Sequence, residues 1–157
     1  MSSPRFISAF GLIAFLGLSG MGCSALPSSV LGVMERADQY EIYRLEPYGA
    51  KEPKPGEKVF HNHVVLGQAE VKDAQLRAKI TDIVNKGVRQ GGTQAKCFNP
   101  RHGIHAVQRG VTVDLVICYE CSTVEVGDNG KWSTVTTGDV QADLEEAFRA
   151  SGLPESH

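Results

Sequence analysis

The residues of this chain with the greatest potential for chemistry are three cysteines and one histidine in its second half. Cys97 and His102 belong to the stretch Cys-Phe-Asn-Pro-Arg-His, and Cys118 and Cys121 form a Cys-x-x-Cys pair further along the chain. Thiolates and imidazoles are the ligands that zinc prefers, and paired thiols form disulfides or exchange electrons. We therefore expect any chemistry of the folded protein in this cluster.

A predicted β-hairpin brings the two halves of the cluster together. Branched residues flank Arg109-Gly110, which predicts a tight turn between two antiparallel strands. The second strand is expected to run over 111–126, but its apolar residues change parity between Ile117 and Val124. Because side chains alternate between the faces of a strand, we expect a β-bulge near residues 120–123.

Three interpretations of the cluster are open at this stage. A disulfide between Cys97 and either Cys118 or Cys121 is expected if the protein is exported, and it leaves one thiol over. Alternatively, Cys97, His102, Cys118 and Cys121 make a complete tetrahedral set for a structural zinc ion. Thiol redox chemistry at the Cys-x-x-Cys pair is the third, although such pairs usually lie at a helix N-terminus.

The first 22 residues have the pattern of a secretion signal. Arg5 is followed by an apolar run from Phe6 to Gly22 that contains no ionisable side chain and is shorter than a typical membrane span. The run ends in Leu-Ser-Gly-Met-Gly-Cys23, which resembles the lipobox of bacterial lipoproteins and predicts acylation of Cys23. Cleavage after Ala25 is the alternative. Either processing places the protein in the cell envelope or outside the cell, and acylation of Cys23 would make a lipid membrane its partner.

The composition favours a single domain that does not bind nucleic acid. The whole chain has a formal net charge of −2, and removal of the signal makes it more negative because Arg5 is lost. Nucleic-acid-binding domains are usually basic on at least one face. The predicted organisation is a signal peptide at 1–22, a tether at 23–36 and one domain at 37–153.

The hydrophobic pattern of this domain predicts an α+β fold. Asp73 is a helix N-cap residue and Gly91-Gly92 is a helix stop, and a second helix is expected over 139–151. Strands are expected at 40–45, 64–71, 103–108, 111–126 and 132–137. The resulting order, β-β-α-β-β-β-α, predicts an antiparallel sheet with two helices on one face.

Several segments resemble a family of small exported proteins of unknown function from planctomycetes and other bacteria. The segments are Cys97-Phe-Asn-Pro-Arg-His-Gly-Ile104, Asp114-Leu-Val-Ile-Cys-Tyr-Glu-Cys121, Ala37–Pro47 and Val65-Leu-Gly67, and the resemblance extends over most of the mature chain. The resemblance implies that the three cysteines and His102 define the family. It implies no activity.

Two functional hypotheses follow from the sequence. The first is a membrane-tethered, non-enzymatic binding module whose partner is an envelope protein or ligand and whose Cys/His cluster is structural. The second is a metal-dependent or thiol-based enzyme that uses the same cluster, with zinc as the possible cofactor. No serine nucleophile elbow, phosphate-binding loop or paired-acid motif occurs in the sequence, so no further catalytic residues are predicted.

Overall fold

A computed structural model describes residues 25–48 and 53–153. The predicted signal peptide and Cys23 lie outside the described residues. The elements in chain order are α1 Ser28–Glu35, β1 Gln39–Leu45, β2 Val59–Phe60, β3 His63–Glu70, α2 Ala74–Gln90, β4 His102–Gln108, β5 Val111–Cys118, β6 Thr123–Asp128, β7 Lys131–Thr136 and α3 Gln141–Ala150.

The predicted α+β class is confirmed. The seven strands form one curled antiparallel sheet in the order β2-β3-β1-β4-β5-β6-β7. The three helices pack on one face of this sheet, where they enclose the main hydrophobic core with inward residues of the central strands such as Ile42, Ile104 and Leu115. The opposite face carries no helix among the described residues, and we call it the open face.

The two predicted helices begin and end near the expected residues. The Asp73 side chain accepts hydrogen bonds from the first N–H groups of α2, and Gly91 ends this helix with a φ of 63°. Beyond α3, Gly152 has a φ of 87°, and the N–H of Leu153 donates to the Phe148 carbonyl at 3.1 Å. These ends follow from local residue chemistry, which is why the sequence predicted them.

The segment predicted as a tether is instead partly helical. Residues 28–35 form α1, and Val30, Val33 and Met34 of this helix are buried in the main core. A helix this short has little stability by itself, so its formation depends on packing against the rest of the domain. The observed order therefore begins with a helix that the sequence pattern did not predict.

The predicted long strand over 111–126 is in fact two strands. Residues 119–122 form a tight reversal, β5 ends at Cys118, and Ile117 pairs with Val124 across the two strands. Residues that pair across an antiparallel ladder point to the same face, so the reversal accounts for the parity change without a β-bulge. The short strand β2 was also not predicted. The predicted order β-β-α-β-β-β-α was therefore wrong in detail, because it lacked β2 and counted β5 and β6 as one strand.

The β2–β3 hairpin covers part of the open face. The ring of Phe60 stacks on Tyr43 with centroids 4.5 Å apart, and it lies over Gly103, where a Cβ would come within 2.8 Å of the Phe60 ring. A glycine at this position of β4 is therefore what allows the hairpin to fold onto the sheet. Val116 and the partly buried Phe98 complete a small second apolar cluster there.

Candidate functional site

The structure brings the three cysteines of the described residues together at the β5–β6 reversal. Cys118 and Cys121 form a disulfide across the reversal and expose 1% and 0% of their surfaces. Cys97 is an exposed free thiol, and its Sγ lies 3.8 Å from Cys121 Sγ. The observed pairing therefore differs from the predicted disulfides, both of which included Cys97.

Backbone hydrogen bonds hold the Cys97 loop against this disulfide. The N–H of Ala95 donates to the Cys121 carbonyl at 3.1 Å, and the N–H of Asn99 donates to Cys121 Sγ at 3.3 Å. These two bonds lie on either side of Cys97 in the chain. The proximity of the thiol to the disulfide is thus maintained by the backbone on both sides of it.

The Cys97 thiol lines a cavity of about 450 Å³ on the open face. Lys96 and Phe98 form one wall, and Glu125 of β6 and Thr134 of β7 belong to the sheet beneath. The volume is in the range of small-molecule and side-chain binding sites. The most reactive side chain of the cluster is therefore accessible from a surface depression rather than from a flat surface.

His102 lies on the other side of the sheet from Cys118. It pairs with Ile117 in the ladder and faces the helices, whereas the neighbouring Cys118 faces away from them. Among the described residues, no group of three or more His, Cys, Asp or Glu side chains is placed to hold a metal ion. The four residues predicted as a zinc set thus contribute to two separate sites.

His102 belongs to a buried ionic network that connects the sheet to α3. Its Nε2 lies 2.6 Å from Glu145 Oε1, and the guanidinium of Arg44 contacts both carboxylate oxygens of Glu145. The ring of Phe148 packs against His102 with centroids 5.3 Å apart and lies 5.5 Å from the Arg44 guanidinium. The network therefore fixes the position of α3 on the sheet.

Burial and hydrogen bonding together set the protonation states in this network. Burial lowers the pKa of His102, although its hydrogen bond to Glu145 acts in the opposite direction. Burial alone would raise the pKa of Glu145, but the hydrogen bonds from His102 and Arg44 lower it to about 2. Burial thus favours the neutral form of His102 at neutral pH, and its Nε2 contacts both the Glu145 carboxylate and Arg44 Nη1, the latter at 3.0 Å, while Arg44 balances the charge of Glu145.

The sequence contained one signal for this network. Arg44 follows Tyr40 and Ile42 at alternate positions of β1, so it has the parity of core residues. A charged side chain at such a position needs a buried partner. The partner itself, Glu145, was not identifiable because it lies far away in the chain, among several other acidic residues of α3.

Replacement of Glu145 by glutamine is expected to lower the free energy of unfolding by about 3 kcal/mol, because it removes the carboxylate that pairs with the buried Arg44 guanidinium. Glu146→Gln is the matched control, since Glu146 is exposed and its ion pair with Lys79 contributes at most about 1 kcal/mol. Denaturant unfolding of both variants measures the difference. Equal losses in the two variants would contradict a stabilising role for the network.

A second polar cluster lies on the open face around Asp114. His105 Nδ1 lies 2.6 Å from Asp114 Oδ1, and His61 Nε2 lies 3.0 Å from Asp114 Oδ2. His61 reaches this position from the β2–β3 turn, and its ring also contacts Trp132 of β7 with centroids 4.4 Å apart. One carboxylate thus orients two imidazoles on the sheet surface.

The turn that delivers His61 has a conformation that side chains rarely adopt. His61 and Asn62 have φ values of 45° and 67°, which is the left-handed region that glycine and asparagine prefer. His63 points elsewhere, with its Nδ1 3.3 Å from the Glu46 carbonyl. The tertiary fold thus gives the two histidines different partners.

The hydrogen bonds of this cluster favour an ionised Asp114 and a protonated His105. The hydrogen bond to Asp114 raises the pKa of His105. Burial alone would raise the pKa of Asp114, but the hydrogen bonds from His105 and His61 lower it to about 2. With Nδ1 held by a carboxylate, Nε2 of His105 is the ring nitrogen that remains to exchange a proton.

The Asp114 cluster predicts a pH dependence of stability. Asp114 contributes above its ordinary pKa of 3.8, and this contribution is lost as the pH falls towards 2. His105 contributes below its ordinary pKa of 6.5, and its contribution is lost as the pH rises through the raised value. We expect Asp114→Asn to lower the free energy of unfolding most, by about 2 kcal/mol, between pH 4 and pH 6.5.

Denaturant unfolding from pH 2 to pH 9 measures this difference. Asp82→Asn, at an exposed position of α2, is the control for loss of a carboxylate in general. A constant difference between wild type and Asp114→Asn over this range would show that the cluster is not ionised as described.

Comparison with protein-family models, with curated proteins and with solved structures gave no significant match. In addition, no helix within 25–48 and 53–153 is both long and apolar enough to span a membrane.

Proposed function

We propose that this chain is an exported protein, anchored to a membrane of the cell envelope through an acylated Cys23, and that its domain is a binding module for an envelope protein. The signal-like segment at 1–22 and the lipobox-like sequence before Cys23 support export and membrane anchoring. Leu26 is already buried in the domain, and three residues of chain span at most about 11 Å. Acylation at Cys23 would therefore hold the domain directly at the membrane surface.

The observation that carries the binding function is the free edge of β7. This strand of six residues is the last in the sheet and pairs only with β6 in the described structure. Exposed edge strands are templates for pairing with another chain, and proteins commonly protect them with proline, bulges or several charges. Lys131 is the single charged residue of β7, and the strand contains no proline.

The hairpin geometry identifies the backbone groups that are available. Asn129-Gly130 is a two-residue turn with two positive φ values, which makes Asp128 and Lys131 the hydrogen-bonded pair next to it. The N–H groups of Trp132 and Thr134 then point away from β6. An extended polypeptide segment can pair with them as an eighth strand, which is the β-augmentation mode of peptide recognition.

The side chains around this edge suit such a partner. The side chain of Trp132 is 47% exposed on the open face, where it can cover apolar residues of an added strand. Thr134 lies both in β7 and in the lining of the 450 Å³ cavity. A segment paired with β7 therefore has a depression beside it that accepts one of its side chains. We assign the partner as an extended segment of an envelope protein.

Replacement of Thr134 by proline tests this assignment, because it removes one outward N–H without removing a bond to β6. The probe is a displayed library of twelve-residue peptides, selected on the full chain in detergent. We expect Thr134→Pro to weaken binding of the selected peptides about tenfold, which corresponds to the loss of one hydrogen bond. Thr134→Ala keeps the N–H and removes the same side chain, so the difference in affinity between the two variants measures the contribution of the N–H.

Chemical shifts of backbone amides should change mainly within 131–136 when the peptides bind. Selected peptides that bind Thr134→Pro and wild type equally well would exclude β7 as the binding edge. The same conclusion would follow from a library that yields no binder.

Mass spectrometry of the mature N-terminus tests the proposed export and lipid anchor. We expect a bacterial host with lipoprotein processing to produce a chain that begins at an acylated Cys23, and Cys23→Ala to release the protein from the membrane fraction. A mature chain that begins at an unmodified Leu26 would replace the lipid anchor with ordinary signal cleavage after Ala25.

A further inference from the structure

We propose that Cys97, Cys118 and Cys121 form a thiol–disulfide exchange site, in which Cys97 carries electrons between a dithiol at the surface and the buried disulfide. The observation behind it is the 3.8 Å distance from the exposed Cys97 Sγ to Cys121 Sγ. This inference does not depend on peptide pairing at β7, because it concerns only the three sulfurs and the cavity in front of them.

The accessibility of the three sulfurs differs in the way that such a site requires. Cys118 and Cys121 are fully buried, so a thiol on another molecule cannot approach their disulfide directly. Cys97 is exposed and lines the 450 Å³ cavity. Thiol–disulfide exchange proceeds by attack of a thiolate on a disulfide sulfur, so access decides which thiol can react. Cys97 is the accessible thiol next to the disulfide in the described structure.

The distance of 3.8 Å between Cys97 Sγ and Cys121 Sγ favours attack on Cys121. The N–H of Cys121 donates to Cys118 Sγ at 3.2 Å, which stabilises the negative charge that Cys118 acquires as the leaving group. The N–H of Asn99 donates to Cys121 Sγ and holds the attacked sulfur beside the loop that carries Cys97. Proximity therefore sets the order Cys97, Cys121, Cys118.

The first step is internal and needs no co-reactant. The Cys97 thiolate attacks Cys121 Sγ, the Cys118–Cys121 bond breaks, and Cys118 leaves as a thiolate. The proton lost by Cys97 is balanced by the proton that Cys118 takes up. One disulfide is exchanged for another, and the new Cys97–Cys121 disulfide has one sulfur in the cavity.

The second step transfers electrons from a dithiol. One thiolate of the dithiol attacks Cys97 Sγ and displaces Cys121 as a thiolate, giving a mixed disulfide at the surface. The second thiolate of the dithiol then attacks the first sulfur of the same dithiol, which is bonded to Cys97, and Cys97 leaves as a thiolate. The dithiol is oxidised to a disulfide by loss of two electrons, and Cys118 and Cys121 are left as reduced thiols.

The rate of reduction of the buried disulfide tests the role of Cys97. The full chain and its Cys97→Ser variant are treated with dithiothreitol, quenched with acid, and alkylated. We expect Cys97→Ser to slow reduction of the Cys118–Cys121 bond about tenfold or more, because the reductant loses its accessible intermediate. Asp82→Asn, an exposed substitution on α2 that changes neither a sulfur nor the lining of the cavity, is expected to react at the wild-type rate.

The linkage itself can be read from tryptic peptides, because cleavage separates Cys97 in 97–101 from the other two cysteines in 110–131. Free thiols are first blocked with a maleimide at low pH, which prevents rearrangement. We expect a fraction of wild-type molecules to contain 97–101 bonded to 110–131, and a mixed disulfide at Cys97 during reduction. A reduced Cys-Gly-Gly-Cys peptide in place of dithiothreitol shows whether a polypeptide dithiol reacts faster than a small one.

Two results would overturn the proposal. Equal rates of reduction in wild type and Cys97→Ser would show that the reductant reaches the buried disulfide without Cys97. Complete maleimide labelling of 97–101, with no cross-linked peptide at any stage of the reaction, would show that Cys97 does not exchange. Circular dichroism of Cys97→Ser establishes that the variant is folded, which its exposed position favours.

Discussion

The reversal of the chain between Ile117 and Val124 is the constraint on which the rest of the structure depends. It converts one predicted strand into β5 and β6, and this adds a strand to the sheet and makes β7 its edge. It turns the chain back between Cys118 and Cys121, so these two residues come close enough to form a disulfide. The carbonyl and Sγ of Cys121 also bind the loop that carries Cys97.

The two faces of the sheet have separate roles. The helix-covered face contains the apolar core and the network in which the buried Arg44 and His102 pair with the partly buried Glu145. The open face carries the polar cluster around Asp114, the cavity at Cys97 and the exposed Trp132. Groups that can meet a partner therefore lie on the open face, and groups that hold α3 in place lie on the other.

The difference between the two histidines of β4 follows from strand geometry. His102 points to the helices and His105 to the open face, because the two residues are three positions apart and side chains alternate between the faces along a strand. Burial favours the neutral form of His102, whereas the carboxylate of Asp114 favours the charged form of His105. The same residue type thus serves packing on one face and surface electrostatics on the other.

The sequence by itself determined the features that depend on neighbouring residues. These include the cap at Asp73, the glycine stop of α2, the hairpin turn at Arg109-Gly110 and the α+β class. The tertiary structure decided what depends on distant partners. Residues 28–35 became a helix because the core covers Val30 and Met34, and His102 joined Glu145 rather than the cysteines because its strand position turned it to the helices. Spacing along the chain placed all three cysteines in one cluster, but only the β5–β6 reversal decided that Cys118 pairs with Cys121 and that Cys97 stays accessible.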